Sequence, residues 1–382
     1  MQRLSFLSVF FFMIAAISTA AAQQSSAPLP TPAITGPLQA APPITIHAGP
    51  LGKLSLNGVL SGMGLTQTSP LPGDQSAQAE LTNAQIFLQK TDGWAQFYVQ
   101  AGAYNIPVLG TTILSTQSTV SDLFGPVPVA YLKLAPNKNT SVLIGSLPAI
   151  MGAEGTFDFQ NMNVERGLLW NQENSINRGI QLNQTVGKLS AAVSWNDGYY
   201  SNRYSWLSGS LTYSNGPHSL SFSGMGNLSQ TAFRNLATPV QNNGSMYALI
   251  YTYTKGKWIV QPYWQYGDVP TNLKAGIPQG ASAQGAALLL SRTLSHGWSF
   301  AGRGEYLATT GSTAQDSVNL LYGPGSTAWS LTATPAWQEQ RFFARGDVSL
   351  VHAMSITDGS AFGKSGSIQN QFRGIVEIGL LF

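Results

Sequence analysis

The chain has 382 residues, of which only 9% are charged, and its formal net charge at pH 7 is +3. A soluble globular protein usually has about a quarter of its residues charged, so the composition argues against a soluble enzyme, while 43% hydrophobic residues argue against a disordered chain. The small basic excess gives no support to nucleic-acid binding, and the absence of cysteine excludes a disulfide framework and a thiolate metal site.

The first segment in chain order has the features of a secretory signal peptide, which we predict over residues 1–22. Arg3 is basic, residues 4–17 are apolar, and the small residues Ala20–Ala22 precede a cleavage point. This apolar run is too short to span a bilayer comfortably, and no later run of about twenty apolar residues follows it. We therefore expect an exported protein and exclude a helical inner-membrane protein.

Residues 23–50 are rich in proline and alanine. This composition predicts an extended, poorly packed periplasmic leader, to which we assign no role. A plug or a partner-binding segment is the alternative that the composition leaves open.

Residues 51–382 divide into about sixteen predicted strands, separated by connections that alternate between short and long. The short turns are residues 91–93, 136–139, 187–188, 215–216, 255–256, 296–297 and 338–340. The long connections are residues 66–79, 105–126, 148–177, 197–203, 229–244, 268–280, 309–326 and 354–370. Short periplasmic turns and long extracellular loops are typical of a transmembrane barrel with both termini in the periplasm. We predict an all-β fold, an antiparallel up-and-down β-barrel of about 16 strands.

Individual strands show the period of two that such a barrel requires. Leu220 and Phe222 alternate with Ser221 and Ser223, which places apolar residues on one face and hydroxyls on the other. The serine face suits a wet lumen. Residues 281–294 are ambiguous, because leucines occupy both parities.

The last strand carries a nearly pure apolar face that ends on an aromatic residue. Such an ending predicts a signal for the barrel-assembly machinery of the outer membrane. The face consists of Phe372, Val376, Ile378, Leu380 and Phe382, with Gly374 between them.

The opposite faces of several strands carry charged residues, which we predict to line a water-filled pore. A closed barrel of this size has an aqueous interior, where charges can be hydrated at little cost. The alternative for any one of these residues is that its side chain is simply hydrated and has no role, or that it forms a local ion pair, as Arg345 could with Asp347. The predicted pore-wall residues are Arg178, Arg303, Glu305, Arg345, Asp347, Arg373 and Glu377.

The third long connection, residues 148–177, is the longest and the most acidic. Its acidic residues are Glu154, Asp158, Glu165 and Glu173, and Arg166 is its only base. Folded into the barrel, this loop would face the wall arginines and create a transverse field across a narrowed pore. The alternative is an outward-facing loop that shields the barrel mouth.

With these features the chain resembles the Gram-negative general porins, and more narrowly the OmpL-like β-barrel porins of the outer membrane. The resemblance covers residues 51–382, and it implies passive diffusion of small hydrophilic solutes, an inward-folded third loop and, as is often found in such porins, a homotrimer. The chain lacks the Pro-Glu-Phe-Gly-Gly run of classical enterobacterial constriction loops. The most distinctive stretches are residues 144–148, 161–170 (Asn-Met-Asn-Val-Glu-Arg-Gly-Leu-Leu-Trp), 178–182 and 195–198.

We weigh two other functions. A hydrolase would need a nucleophile and a base within reach of each other, but the four histidines, His47, His218, His296 and His352, form no recognisable catalytic pattern. A non-conducting structural or adhesive barrel is the stronger alternative, because long polar loops suit surface recognition. For the porin we expect outer-membrane lipid, lipopolysaccharide and small hydrophilic solutes as partners. No cofactor, metal or nucleic acid is expected.

Overall fold

The computed structural model describes residues 36–229 and 240–382. The predicted signal peptide, the leader up to residue 35 and the middle of the fifth long connection lie outside the described residues. No helix in the described ranges is long and apolar enough to cross a membrane. The strands that these ranges contain are β1 (Ile44–His47), β2 (Lys53–Gln67), β3 (Ala77–Lys90), β4 (Ala95–Tyr104), β5 (Val129–Asn137), β6 (Thr140–Pro148), β7 (Ile176–Val186), β8 (Leu189–Asn196), β9 (Trp206–Asn215), β10 (His218–Asn227), β11 (Ser245–Lys255), β12 (Trp258–Val269), β13 (Ala281–Thr293), β14 (Trp298–Thr309), β15 (Thr327–Glu339), β16 (Phe342–Met354) and β17 (Asn370–Leu381).

Strands β2 to β17 form a closed antiparallel ring. Each strand pairs with the next along the chain, and β17 pairs with β2 to complete the barrel. The closing seam extends to the last residue, because the Phe382 amide donates to the Gly58 carbonyl at 2.9 Å. The predicted barrel of about sixteen strands is therefore confirmed. The short strand β1 lies outside the ring order and pairs only with the start of β2.

The connections alternate in length as the sequence predicts. In two of the short turns Gly187 and Gly216 have φ angles of 60° and 58°, a conformation that tight hairpins require and that glycine adopts without strain. In the parts of the long connections that the structure describes, the helical segments are short turns. These are α1 (Thr116–Thr119), a π-helical turn at Val120–Phe124, and 3-10 turns at Asp158–Gln160, Leu169–Gln172, Val240–Asn243, Leu273–Ala275 and Thr313–Gln315, with one more 3-10 turn, Gly49–Leu51, before β2.

The strands separate their residues onto an exposed outer face and a buried inner face. On β17 the side chain of Ile378 is 64% exposed, whereas that of its neighbour Glu377 is fully buried. The same alternation shows which face of β13 is buried, a point that the sequence left ambiguous. Leu288 points outward and Leu289 is buried on the inner face.

The core lies inside the barrel and is more densely filled than expected for a water-filled lumen. Phe157 and Phe159, from the third long connection, stack 6.0 Å apart inside it. They pack with Phe87 of β3, Phe343 of β16 and Leu38 of the leader in one buried cluster. The prediction of a poorly packed leader is therefore wrong for its inner end, where the Leu38 side chain is buried in a pocket that excludes water.

Candidate functional site

The third long connection is held in a defined shape by side-chain amides. Asn161 donates to the carbonyls of Gly155 and Phe157, both at 2.9 Å, and Gln160 accepts from the Phe157 amide at 3.0 Å. Asparagine and glutamine at these positions supply the hydrogen bonds that irregular backbone lacks. The loop can therefore present its acidic side chains at fixed positions.

The first of these acidic residues, Glu154, meets an arginine of the barrel wall. Its Oε1 lies 2.7 Å from Nη1 of Arg303 on β14, and its Oε2 accepts from the Gly167 amide at 2.8 Å. Arg303 also has Nε 3.1 Å from the carboxylate of Glu305 on the same strand. Glu305 in turn accepts a hydrogen bond from the Leu168 amide at 3.0 Å. The loop and the wall therefore contact the same carboxylate.

The second acidic residue, Asp158, meets Arg345 of β16. Asp158 Oδ2 lies 2.9 Å from Arg345 Nη2, and the Arg345 Nε donates at 2.9 Å to Glu377 on β17. All three side chains are fully buried. A buried guanidinium with two carboxylates is compensated in charge and fixed in orientation by its planar fork of donors.

The third acidic residue, Glu165, is hydrogen-bonded to Arg373 of β17. Arg373 also donates to the carbonyls of Val108 and Thr111, at 3.1 and 2.8 Å, in the second long connection. Ser349 donates to the other oxygen of Glu165 at 3.1 Å. This ion pair therefore joins two long connections to the last strand.

Three predicted site residues take partners that the sequence did not predict. Asp347 does not pair with Arg345, and instead accepts the Glu165 amide at 2.9 Å. Among the described residues Glu173 forms no ion pair with an arginine, and it is hydrogen-bonded to the Tyr263 hydroxyl on β12. Arg178 lies apart from the other wall arginines, 2.8 Å from Asp197 of the fourth long connection.

The charges are buried, which differs from the expected hydration by lumen water. Glu154, Asp158 and the arginines of β14, β16 and β17 reach at most 4% side-chain exposure, because the loop occupies the space that water would fill. Unpaired charges in such surroundings are strongly disfavoured, so direct pairing replaces hydration.

The electrostatics of the loop acids follow from this burial. Burial raises the pKa of Glu154, and the positive charge of Arg303 opposes the rise. Burial also tends to raise the pKa of Asp158. Hydrogen bonding and the charge of Arg345 outweigh this effect, so that the pKa is lowered overall. Asp158 therefore provides a fixed negative charge at the centre of the site.

Sequence reasoning noted Arg166 but gave it no role. Its side chain is fully buried, and none of its three guanidinium nitrogens has a hydrogen-bond partner within the described ranges. Burial lowers its pKa to about 10, against the opposing charges of Asp158 and Glu154. Its guanidinium carbon lies 5.8 Å from the ring centroid of Trp170.

A chain of amides behind Asp158 was also missed. Gln100 donates to Gln85 at 2.7 Å, Gln85 to Asn83 at 2.8 Å, and Asn83 to Asp158 at 2.6 Å. These residues alternate on the inner faces of β3 and β4, a period-two pattern of amides that could have identified them. They orient the Asp158 carboxylate from the side opposite Arg345.

Another part of the inner wall is polar, uncharged and partly exposed. Thr212 and Ser221 form a hydroxyl pair at 2.9 Å between β9 and β10, and Thr185 and Ser190 form one at 3.1 Å between β7 and β8. These small hydroxyls match the predicted serine face. They offer hydrogen-bonding groups to water without a net charge.

Two of the histidines have polar partners on the barrel strands. His218 and His352 hydrogen-bond Tyr251 and Asn370, at 2.6 and 2.8 Å, on exposed parts of the barrel. Over the described residues, no group of three or more histidine, aspartate or glutamate side chains could hold a metal ion. The paired acids and arginines can impose a local electric field within the barrel.

The barrel matches a known protein family. A family model described as "Putative beta-barrel porin-2, OmpL-like" matches residues 53–382, which is nearly the whole barrel. No curated protein matches the sequence.

Several solved structures have a similar barrel. The outer membrane channel DcaP of Acinetobacter baumannii has 8% identity and a TM-score of 0.57, covering 86% of this chain and 97% of that one. In-vitro folded OmpT of Vibrio cholerae, in its trimer form, has 6% identity and a TM-score of 0.56, covering 86% and 99%. OmpF of Salmonella typhi, in complex with daunomycin, has 11% identity and a TM-score of 0.54, covering 89% and 100%. Similarity at this level of identity concerns the fold alone.

Proposed function

The chain belongs to the OmpL-like β-barrel porin family of the outer membrane, and we propose that it lets small hydrophilic solutes and ions diffuse passively through its barrel. The third long connection narrows this path. Its acidic side chains and the wall arginines together set which ions pass.

The observation that carries the proposal is the set of three acid–arginine contacts between loop and wall. Glu154, Asp158 and Glu165 pair with arginines on β14, β16 and β17 respectively. A loop that only shielded the mouth of the barrel would not need its acids paired with arginines on three inner-face strands. Opposed charges of this kind create a transverse field, which acts on ions and dipolar solutes in a narrow passage.

The hydroxyl wall supports diffusion of uncharged hydrophilic solutes. Inner-face residues such as Ser190 and Thr212 remain partly or wholly exposed, in contrast to the buried charges across the barrel. Neutral hydroxyls exchange hydrogen bonds with water and sugars without holding them strongly. We therefore place the solute path along β7 to β11.

The filled interior favours one competing function. The aromatic cluster around Phe157 and Phe159 leaves less lumen than an open pore would have. A non-conducting structural or adhesive barrel would be built in this way. The two functions differ in permeability, which makes them easy to separate.

We further propose a homotrimer in contact with outer-membrane lipid and lipopolysaccharide, assembled by the barrel-assembly machinery. The trimer form of the Vibrio cholerae OmpT structure supports this assembly for the fold. Native mass spectrometry of the detergent-folded protein would give three barrels per particle. A single barrel at all protein concentrations would contradict it.

A liposome swelling assay tests the proposed function. Liposomes containing the folded protein should swell in isotonic solutions of small sugars, at rates that fall as the sugar becomes larger. Heat-unfolded protein in the same liposomes is the control. Equal rates in both preparations would support the non-conducting barrel.

A further inference from the structure

The inner end of the leader, residues 36–41, is held against one end of the barrel, with Gly36 and Leu38 buried. We call this segment the leader tip. Its Leu38 is only 2% exposed and belongs to the buried cluster that includes Val59 of β2 and Leu381 of β17. These two residues lie near the chain termini of the ring, at the periplasmic end predicted for an outer-membrane barrel.

The leader tip touches the third long connection directly. A Cβ atom added to Gly36 would lie 2.2 Å from the carbonyl oxygen of Asn161, so the two backbones are in close contact. The same carbonyl accepts a hydrogen bond from Arg345 at 3.4 Å. The leader tip therefore reaches the group of residues that holds Asp158 in place.

Two polar contacts fix the leader tip to the wall. The Gln338 side chain accepts from the Gln39 amide at 2.7 Å and donates to the Gln39 carbonyl at 2.8 Å. Asn57 donates to the Ala41 carbonyl at 3.0 Å. Together these bonds satisfy backbone groups of an extended segment that has no strand neighbour at this point.

The segment that follows the leader tip anchors it to the barrel. Strand β1 pairs with residues 53–56 of β2, and the turn between them is closed by a hydrogen bond from the Ala48 amide to the Gly52 carbonyl at 2.9 Å. A tip tethered so closely returns to its pocket at a high effective concentration.

We propose that the leader tip is a tethered plug, which narrows the periplasmic end of the lumen from the side of β2 and β17 and limits conductance until it leaves its pocket. This inference rests on the proposed porin function and adds a means of regulation to the same path. Its physical basis is one buried leucine and three hydrogen bonds, an interaction that is strong enough to hold the tip and weak enough to release it.

Reversible crosslinking provides the test. The chain has no cysteine, so Gln39→Cys with Gln338→Cys introduces one unique thiol pair. A short reducible bis-methanethiosulfonate reagent would join the two thiols in the folded protein, without the strict geometry of a disulfide. In a planar bilayer the crosslinked protein should lose most of its current, and reduction should restore it. The two single-cysteine variants, treated identically, should keep their current.

A substitution pair provides an independent measurement. Leu38→Asp should move the balance between bound and released tip by about ten- to a hundredfold toward release, and raise the open fraction accordingly. Ala40→Asp places the same charge at an exposed position of the tip and should change the open fraction little.

The outcomes separate the plug from the porin. Equal currents before and after reduction would overturn the plug and leave the porin standing. If neither the reduced protein nor folded Leu38→Asp conducts, the porin function itself fails, and the plug fails with it.

Discussion

Asp158 Oδ2 lies 2.9 Å from Arg345 Nη2, although the two residues are 187 positions apart in the sequence. Both side chains are fully buried, so this contact joins the third long connection to the barrel wall where water cannot compensate either charge. We therefore expect this contact to stabilise the loop and, under the proposed porin function, to influence which ions pass.

Asp158→Asn should therefore destabilise the folded barrel. Removing one partner of a buried ion pair typically costs about 3–5 kcal/mol, because the other charge stays buried without compensation. Glu377 still faces Arg345, so we expect the lower part of that range. The midpoint of urea unfolding in lipid vesicles measures the effect. Asp358→Asn, at an exposed loop position, is the matched control and should change stability by less than about 0.5 kcal/mol.

The loop acids should also determine ion preference. The double variant Glu154→Gln/Asp158→Asn removes two negative charges beside Arg303 and Arg345, so that the wall arginines dominate. The reversal potential in a salt gradient should then shift away from cation preference. Asp316→Asn/Asp358→Asn removes the same charge from exposed loops, and its selectivity should stay that of the wild type. Unchanged selectivity in the first variant would contradict a constriction at these residues.

Glu173 should make stability depend on pH. Burial raises the pKa of its carboxyl to about 8 from an ordinary value of 4.5, while the hydrogen bond with Tyr263 opposes the rise. Between these two values the folded state keeps a proton that the unfolded state loses. The free energy of unfolding should therefore fall as the pH rises from 4.5 to 8, by at most about 1.4 kcal/mol per pH unit.

Urea unfolding at pH 5, 7 and 9 measures this slope. Glu173→Gln should unfold with a flatter pH dependence, because the amide remains neutral throughout. Glu339→Gln, at the exposed end of β15, should keep the wild-type slope. Equal slopes in all three proteins would show that Glu173 is ionised in the folded barrel.

The closing seam can be tested with two glycines of β2. A Cβ atom at Gly58 would lie 2.3 Å from the ring of Phe382, whereas one at Gly64 would meet no atom within 4 Å. Gly58→Val should displace the terminal aromatic ring and cost about 1–3 kcal/mol, as overpacking does. Gly64→Val should cost less. The temperature at which the barrel loses its heat-modifiable gel mobility compares them, and equal temperatures would contradict a packed seam.

Much of the fold could be predicted because its signals are local. The period of two on β17 separates Ile378 from Glu377, and glycine turns such as Gly216 mark where a strand reverses. The sign of the charges also predicted that the acidic loop would meet wall arginines. The ambiguity of β13 was real, because packing inside the barrel decides that Leu289 points inward.

The pairing of charges could not be predicted, because it depends on contacts that are distant in sequence. Glu165 and Arg373 are 208 positions apart, and no local pattern distinguishes Arg373 from Arg345 as its partner. The alternative of a local ion pair between Arg345 and Asp347 rested on their proximity on one strand. In the structure Asp347 instead accepts the Glu165 amide, and Arg345 pairs with Asp158 and Glu377.

The burial of Leu38 was hidden for a different reason. Its surroundings in the sequence are proline-rich and predict an extended, poorly packed segment. An extended segment can still be buried when a pocket elsewhere in the chain accepts it. That pocket is made by residues from β2, β3, β16, β17 and the third long connection, which only the closed barrel brings together.

The most direct test of the central claim is the single-channel current of the folded mature protein in a planar bilayer with a salt gradient. We predict stepwise, ohmic conductance, with a reversal potential that reports the balance between the acidic loop and the wall arginines. Bilayers that stay silent with demonstrably folded barrels, including folded Leu38→Asp, would contradict the porin and favour a structural or adhesive barrel.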